Sequence, residues 1–545
     1  MKTFTRKIDI DKRILVILFT IVASLAAYSY LAFHNTVGID DTELSRYVCG
    51  GWEPQVNRWG TYVIGKLINI SDANFMPGLY EIAGAMFLVA AALIFDVLFD
   101  KVLGGGVPVW GYLLFNGLLV TGAFMEEVMI FYLHNAVCLA FFFVAESLLS
   151  LYYFYEKKHW WRLVLSIVCL SFSVGCYESF ITVYLTGICL ILLARAYNMQ
   201  KSGCLTVIIA SIVSVFAAIF LRSLWQNILV KAYALNLSEL GTNVHGISLK
   251  YWFLNNPFMI LKDMLVRFFI RYVVNAVYLP QIMVFLITLI CFIGFTIYGS
   301  VRNKNLMITL WSVGFIICPW LLSVPEMDPN SYRICQGIML FIAGTWFLIY
   351  LWSGKKMRVV ISVVALCCIL AQLYELNRYF YNDHLKYKSD VEYCEALYED
   401  ISHSVSDMDK SVILIGKYEM PQKIREKNYV EAGTEEYEKL SKFCRLEYVD
   451  DFYKYVDEYG YRLYDVSYVD PLSWARYAGL QYENAEIFDF CKIHGIELNH
   501  SYSKEEHSRL VREVETEIKE MPVWPEDGAI LETDEAVYVK IGRIE

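Results

Sequence analysis

The stretch Ile14-Leu-Val-Ile-Leu-Phe-Thr-Ile-Val-Ala-Ser-Leu-Ala-Ala-Tyr-Ser-Tyr-Leu-Ala-Phe33 contains no charged side chain. A helix rises about 1.5 Å per residue, so twenty apolar residues cross about 30 Å of hydrocarbon. Shortly beyond it comes Gly38-Ile-Asp-Asp-Thr-Glu-Leu-Ser-Arg-Tyr47, with three carboxylates and an arginine. The two together read as a membrane helix that opens onto a charged loop. The run is longer than the apolar part of a signal peptide and many similar runs follow it, so it is expected to be a retained helix.

Composition extends that reading to the whole chain. Of 545 residues 57% are hydrophobic and only 19% charged, with a mean hydropathy of +0.41, far more apolar than a soluble domain. Windows of spanning length fall near 14–33, 77–98, 108–124, 128–154, 162–176, 179–197, 204–225, 277–299, 306–324, 335–352 and 359–378. The expected fold is therefore a polytopic α-helical membrane protein with about eleven transmembrane helices. The apolar run over 162–197 is too long for one helix and is expected to break at Cys176-Tyr-Glu-Ser179.

Lys and Arg set the orientation. Residues 1–13 carry five basic side chains, and 156–162, 302–304 and 355–358 are also basic, whereas the turns at 125–127 and 176–179 carry no basic residue. The N-terminus is thus expected in the cytoplasm. An odd number of spans then places the loops at 34–76, 226–276 and 325–334, and everything after about residue 380, outside. The charge changes there too: residues 1–380 hold 27 Lys/Arg against 20 Asp/Glu, and residues 381–545 hold 20 against 37. This predicts two domains, a transmembrane domain over 1–380 and a soluble extracytoplasmic α/β domain over 381–545. In the latter, Ser411-Val-Ile-Leu-Ile-Gly416 and Ala536-Val-Tyr-Val-Lys-Ile541 read as strands and 511–519 as an exposed helix. Tyrosine-rich Asp451-Phe-Tyr-Lys-Tyr-Val-Asp-Glu-Tyr459 reads as core and edge packing. Segments 56–69 and 258–271 mix apolar positions with isolated charges and suit helices lying in the interface. Most of the fourteen cysteines lie in apolar runs and read as small buried hydrophobes.

Charges at a membrane face are costly unless paired or functional. Four clusters stand out on the expected outer side. Asp40, Asp41, Glu43, Arg46, Arg58 and Trp59 share the first outer loop, where a partly desolvated carboxylate beside an arginine suits a general base. Glu126-Glu127 occupy a tight turn; they read either as a solvated turn or as a pair that could hold a divalent cation, orient an arginine or bind a sugar hydroxyl. Glu178 in Tyr177-Glu-Ser179 separates two short apolar runs and must face protein or a wet cavity. Arg333 closes Pro325-Glu-Met-Asp-Pro-Asn-Ser-Tyr-Arg333, at the depth of lipid phosphates. No metal-type Cys/His spacing and no Walker loop is present, and the basic residues line the inner rim rather than a nucleic-acid patch.

In this layout the chain resembles the GT-C superfamily of polytopic glycosyltransferases. Within it the chain is most similar to the bacterial membrane glucosyltransferases of the phage serotype-conversion type, glucosyl transferase Gtr type II. The resemblance rests on Gly38-Ile-Asp-Asp41, Arg46, Asn57-Arg-Trp59 and Tyr177-Glu-Ser179, and covers roughly residues 1–380. It implies transfer of a sugar, glucose in this family, from a polyprenyl-phosphate donor to an envelope glycan outside the membrane. It further implies a base in the first outer loop, Asp40 or Asp41, with Asp41 preferred. Donor phosphate would be held by Arg58 and Arg333, and Arg46, Trp59, Tyr177 and Glu178 would complete the substrate site. Where the family pattern leads one to expect glutamine after tyrosine, this chain has Glu178. The rival readings are a transporter or flippase of lipid-linked sugars, which would put ionisable residues deep in several spans, and a polymerase or ligase of surface glycans. A tail that only binds envelope components is a third.

Overall fold

Why does this chain form so many separate helices rather than a few very long ones? The apolar runs are punctuated by residues that end a helix physically, and the computed structural model shows where. It describes residues 2–34, 36–37, 52–55, 57–68, 78–131, 134–198, 204–232, 256–258, 261–262, 279–322, 334–416, 486–500 and 503–542. Helix α1 covers Lys2–Phe33, α2 Trp52–Gln55, α3 Trp59–Leu67, α4 Leu79–Leu103, α5 Val109–Val120, α6 Glu126–Met129 and α7 His134–Lys157. Then come α8 Trp160–Cys176, α9 Phe180–Tyr197, α10 Cys204–Ala232, α11 Leu279–Asn303, α12 Leu306–Ile317, α13 Gln336–Trp352 and α14 Lys355–Ser404. Between α4 and α5, Gly104, Gly105 and Gly106 all have positive φ (73°, 83° and 79°), a left-handed turn that few other residues would tolerate.

Eight helices are long and apolar enough to cross a membrane, and three shorter apolar helices, Trp160–Cys176, Leu306–Trp320 and Gln336–Trp352, accompany them among the described residues. Every expected window coincides with one of these, and the expected break at 176–179 is present. In the segment 56–69, α3 is docked on α8, with Trp59, Tyr62 and Ile64 buried. Of 258–271, only 258 and 261–262 are among the described residues.

In lipid, helix association relies on close packing and internal hydrogen bonds rather than on the hydrophobic effect. α4 packs along α7, α7 along α8, α8 on α10, and α1 against α4, α5 and α14. Phe99 stacks on Phe347 at 4.3 Å and meets Phe115 edge-on at 4.8 Å, joining α4, α5 and α13. Some polar groups inside the bundle are paired across helices. Asn116 donates to Thr20 (3.0 Å) and to Asp96 (2.9 Å), and Trp346 donates to Thr288 (2.9 Å).

The fifty-residue α14 carries the chain from bundle to tail and runs unbroken through the expected domain boundary. Its buried stripe begins apolar (Ile361, Ala365, Cys368, Ile369), turns polar at Gln372, Glu375, Asp383 and Asp390, and ends apolar at Cys394, Leu397 and Ile401. Tyr387 packs against both the bundle core and the tail core. In the tail, β1 Ser411–Ile415, α15 Glu486–Ile493, α16 Lys504–Glu513, α17 Glu515–Glu520, β2 Ile530–Glu532 and β3 Ala536–Lys540 follow. The sheet order is β1-β3-β2, with β1 parallel and β2 antiparallel to β3. Strand alternation feeds two cores. Val412, Leu414, Val537 and Val539 face the end of α14 and α15, and Ile413, Ile415, Ala536 and Tyr538 face α16 and α17. The helix expected over 511–519 is two helices, and Leu510, Val511 and Ile518 are buried on the sheet rather than exposed. The tyrosine-rich 451–459 lies outside the described residues.

Candidate active site

Two sequence segments 120 residues apart interlock at one end of the bundle. Between α2 and α3 the chain reverses: Arg58 N–H donates to Glu53 O (2.7 Å), and Asn57 adopts φ 66°, a conformation asparagine tolerates. α3 then lies so close to α8 that side chains are excluded on both sides. A Cβ on Gly60 would stand 2.7 Å from Cys176 Sγ, and one on Gly175 2.5 Å from the Trp59 ring. Thr61 donates to Cys176 O at 2.9 Å. Trp59 is buried, edge-on to Phe172 at 5.6 Å and 6.0 Å from Trp225.

This interlock brings Arg58 to Glu178. Arg58 donates through Nε (3.3 Å) and Nη2 (3.1 Å) to the two carboxylate oxygens, and its guanidinium lies 4.5 Å over the Tyr177 ring. Arg222 of α10 approaches the same carboxylate at 3.6 Å and donates through Nε to Asn57 O at 3.0 Å. Gln226, one turn on, donates to Pro54 O at 2.6 Å, so the end of α10 holds the α2–α3 turn from above. Arg58, Arg222 and Glu178 keep 14%, 15% and 26% of their side-chain surface exposed, which leaves them accessible to a ligand. Burial opposes the Glu178 charge, but Arg58 foremost and then Arg222 outweigh it and hold the carboxyl down to about 2. Glu53, buried beneath the turn, adds a second carboxylate within electrostatic reach of Arg58.

Glu126 and Glu127 have a different setting. Both are 0% exposed, which rules out the solvated turn. Glu126 lies within electrostatic reach of Glu375, Glu127, Arg378 and Asp383, and Arg378 donates to Glu375 at 2.7 Å. Neither Glu126 carboxylate oxygen has a hydrogen-bond partner among the described residues. Thr121, at the end of α5, donates to Gln372 at 3.1 Å and fixes this turn on α14. No group of three or more His, Cys, Asp or Glu that could hold a metal ion is found among the described residues.

Of the residues singled out from sequence, Arg58, Trp59, Tyr177 and Glu178 meet in one place. Asp40, Asp41, Arg46 and Arg333 lie outside the described residues. Arg222, Glu375, Arg378 and Asp383 were not foreseen. The available signal for Arg222 was a lone arginine within an apolar helix; for the others it was the helical spacing of acids along α14.

The family described as Glucosyl transferase GtrII matches residues 29–333. No curated protein and no solved structure matches the chain. The matched region includes Arg58, Glu126, Glu127, Tyr177, Glu178 and Arg222, and it stops short of α14 and the tail sheet. With more than half of its length matched, the chain belongs to the Glucosyl transferase GtrII family.

Proposed function

We propose that this chain transfers glucose from a polyprenyl-phosphate carrier to an envelope glycan, such as a surface polysaccharide or teichoic acid, at the outer face of the cell membrane. Eleven spans would place the N-terminus in the cytoplasm and residues 381–545 outside, with the catalytic part in residues 1–380. The reading is supported above all by one observation. Arg58, Tyr177 and Glu178, distant in sequence, form a partly exposed charged site at the bundle end from which α14 leads to the tail.

A lipid-linked donor carries its reactive carbon at headgroup depth, so groups at a bundle end suit it better than groups at the bilayer centre. In the proposed step the acceptor hydroxyl oxygen attacks the anomeric carbon and loses its proton to Asp41 or Asp40. The bond from that carbon to the phosphate oxygen breaks with inversion, and its electron pair leaves with polyprenyl phosphate. Arg58 and Arg333 would hold the phosphate. Arg46 and Trp59 would shape the same loop. Glu126 and Glu127, sealed in this structure, would seat α14 and the turn beside it.

The test is release of polyprenyl phosphate from synthetic polyprenyl-phosphate glucose by the purified protein with cell-envelope fractions. At least one of Asp40→Asn and Asp41→Asn should lower turnover by about 10²- to 10⁴-fold, the usual contribution of a general base. Full activity in both would remove the mechanism. No turnover of wild type across a panel of lipid-linked sugars would remove the donor assignment.

A further inference from the structure

Glu178 is contacted by two guanidinium groups, and its single charge balances only one of them. Among the described residues Arg58 donates through Nε and Nη2 to Glu178, and Arg222 donates through Nε to Asn57 O and brings Nη2 to 3.6 Å from Glu178. Both guanidinium side chains keep part of their surface exposed, 14% and 15%. Among the described residues the charged groups in reach of Arg222 are Glu178 from the turn before α9 and Arg58 before α3, and Glu53 of α2 is in reach of Arg58 in turn.

The charge demand at such a site changes during sugar transfer. The donor phosphate is a diester with one negative charge. When the bond to the anomeric carbon breaks, the electron pair stays on the phosphate oxygen, and the leaving polyprenyl phosphate becomes a monoester with two. A single arginine matches the donor. The second becomes useful only as the leaving charge grows, which is the condition for lowering the barrier rather than merely tightening substrate binding.

We propose that Arg222 contacts the leaving phosphate together with Arg58 and discriminates the dianionic product from the monoanionic donor. The inference rests on the donor reading given above. It makes Arg222 a residue of the chemical step. The alternative is a tether that only holds the α2–α3 turn.

Binding separates the two. The full-length protein would be titrated with a short-chain polyprenyl-phosphate glucose and with the matching sugar-free polyprenyl phosphate, at pH 8 and at pH 5.5. Phosphate monoesters lose their second proton near pH 6, so the sugar-free lipid is a dianion only at the higher pH. Glu178, held at about 2, stays charged at both and does not confound the comparison.

Arg222→Gln should weaken the sugar-free lipid by about tenfold at pH 8 and the donor by less than about twofold, as expected for losing one charge-assisted hydrogen bond to the dianion. That difference should vanish at pH 5.5. In turnover, kcat should fall while KM holds, and Arg222→Lys should restore most of the loss because it keeps the charge. Arg58→Lys, by contrast, should weaken both lipids. If Arg222→Gln weakens both lipids equally, or weakens neither, the proposal is overturned and Arg222 is a tether. If wild type binds neither lipid, the donor reading fails first and takes this inference with it.

Discussion

Glu178 sits between two arginines, whereas Glu126 sits among three other acids with one arginine in reach. Both sites are built from sequence-distant segments of the bundle, but only the first is open. Its three charged groups keep part of their surface, its hydrogen bonds are well aligned, and its carboxylate is stabilised in the charged form. The second is buried, and the two Glu126 oxygens have no hydrogen-bond partner among the described residues. A paired, half-exposed cluster can exchange one partner for a ligand at modest cost. A sealed cluster of acids favours the uncharged carboxyl and offers no such exchange. The contrast separates a site suited to binding from one that seats a helix.

Breaking the first site should have the larger effect. Arg58→Ala leaves Glu178 with Arg222 alone and undoes the anchor of the α2–α3 turn, which should destabilise the protein by about 2–3 kcal/mol and abolish transfer. Thermal unfolding in detergent measures it; an unchanged unfolding temperature would mean the pair holds nothing. At the second site the effect is smaller. Burial, then the neighbouring Glu375 and Glu127, push the Glu126 carboxyl well above its usual range, so Glu126→Gln replaces an uncharged side chain by one of the same shape and should change stability by less than about 1 kcal/mol at pH 7. A fall in unfolding temperature as large as that of Arg58→Ala would show that Glu126 is charged and paired in the native state.

The smallest effect is the pH dependence of the Glu178 pair. Its carboxyl is depressed from the usual 4.5 to about 2, so its stabilisation is complete above about pH 4.5 and is lost as pH falls toward 2. The gap in unfolding temperature between wild type and Glu178→Gln should therefore be flat from pH 8 to pH 5 and close below that. A gap that closes between pH 8 and pH 6 would point to a different titrating group.

Much of the fold was legible because hydropathy and turn residues are local properties. The charge at Glu178 marks the helix break. Arg58 and Glu178 could be named as candidates because a charge between or beside apolar runs must be paired or functional, and Tyr177 because it adjoins one. Arg222 was hidden because nothing local says that one face of α10 meets the α2–α3 turn. Gly175 gave no hint that its missing Cβ makes room for Trp59. The acids of α14 looked like the start of a solvated tail, since a run of mixed polarity does not reveal that a helix continues its buried stripe through it.

The chain's own order of residues thus determined that it is a bundle of apolar helices with an acidic α/β tail, because burial in lipid is decided by stretches of about twenty residues at a time. Only the tertiary structure decided which charges meet. Ion pairs fall off within a few ångströms, and the distance between Arg58, Glu178 and Arg222 is set by how α3, α8 and α10 pack, through contacts such as Gly60 on Cys176 and Gly175 on Trp59 that no local pattern encodes.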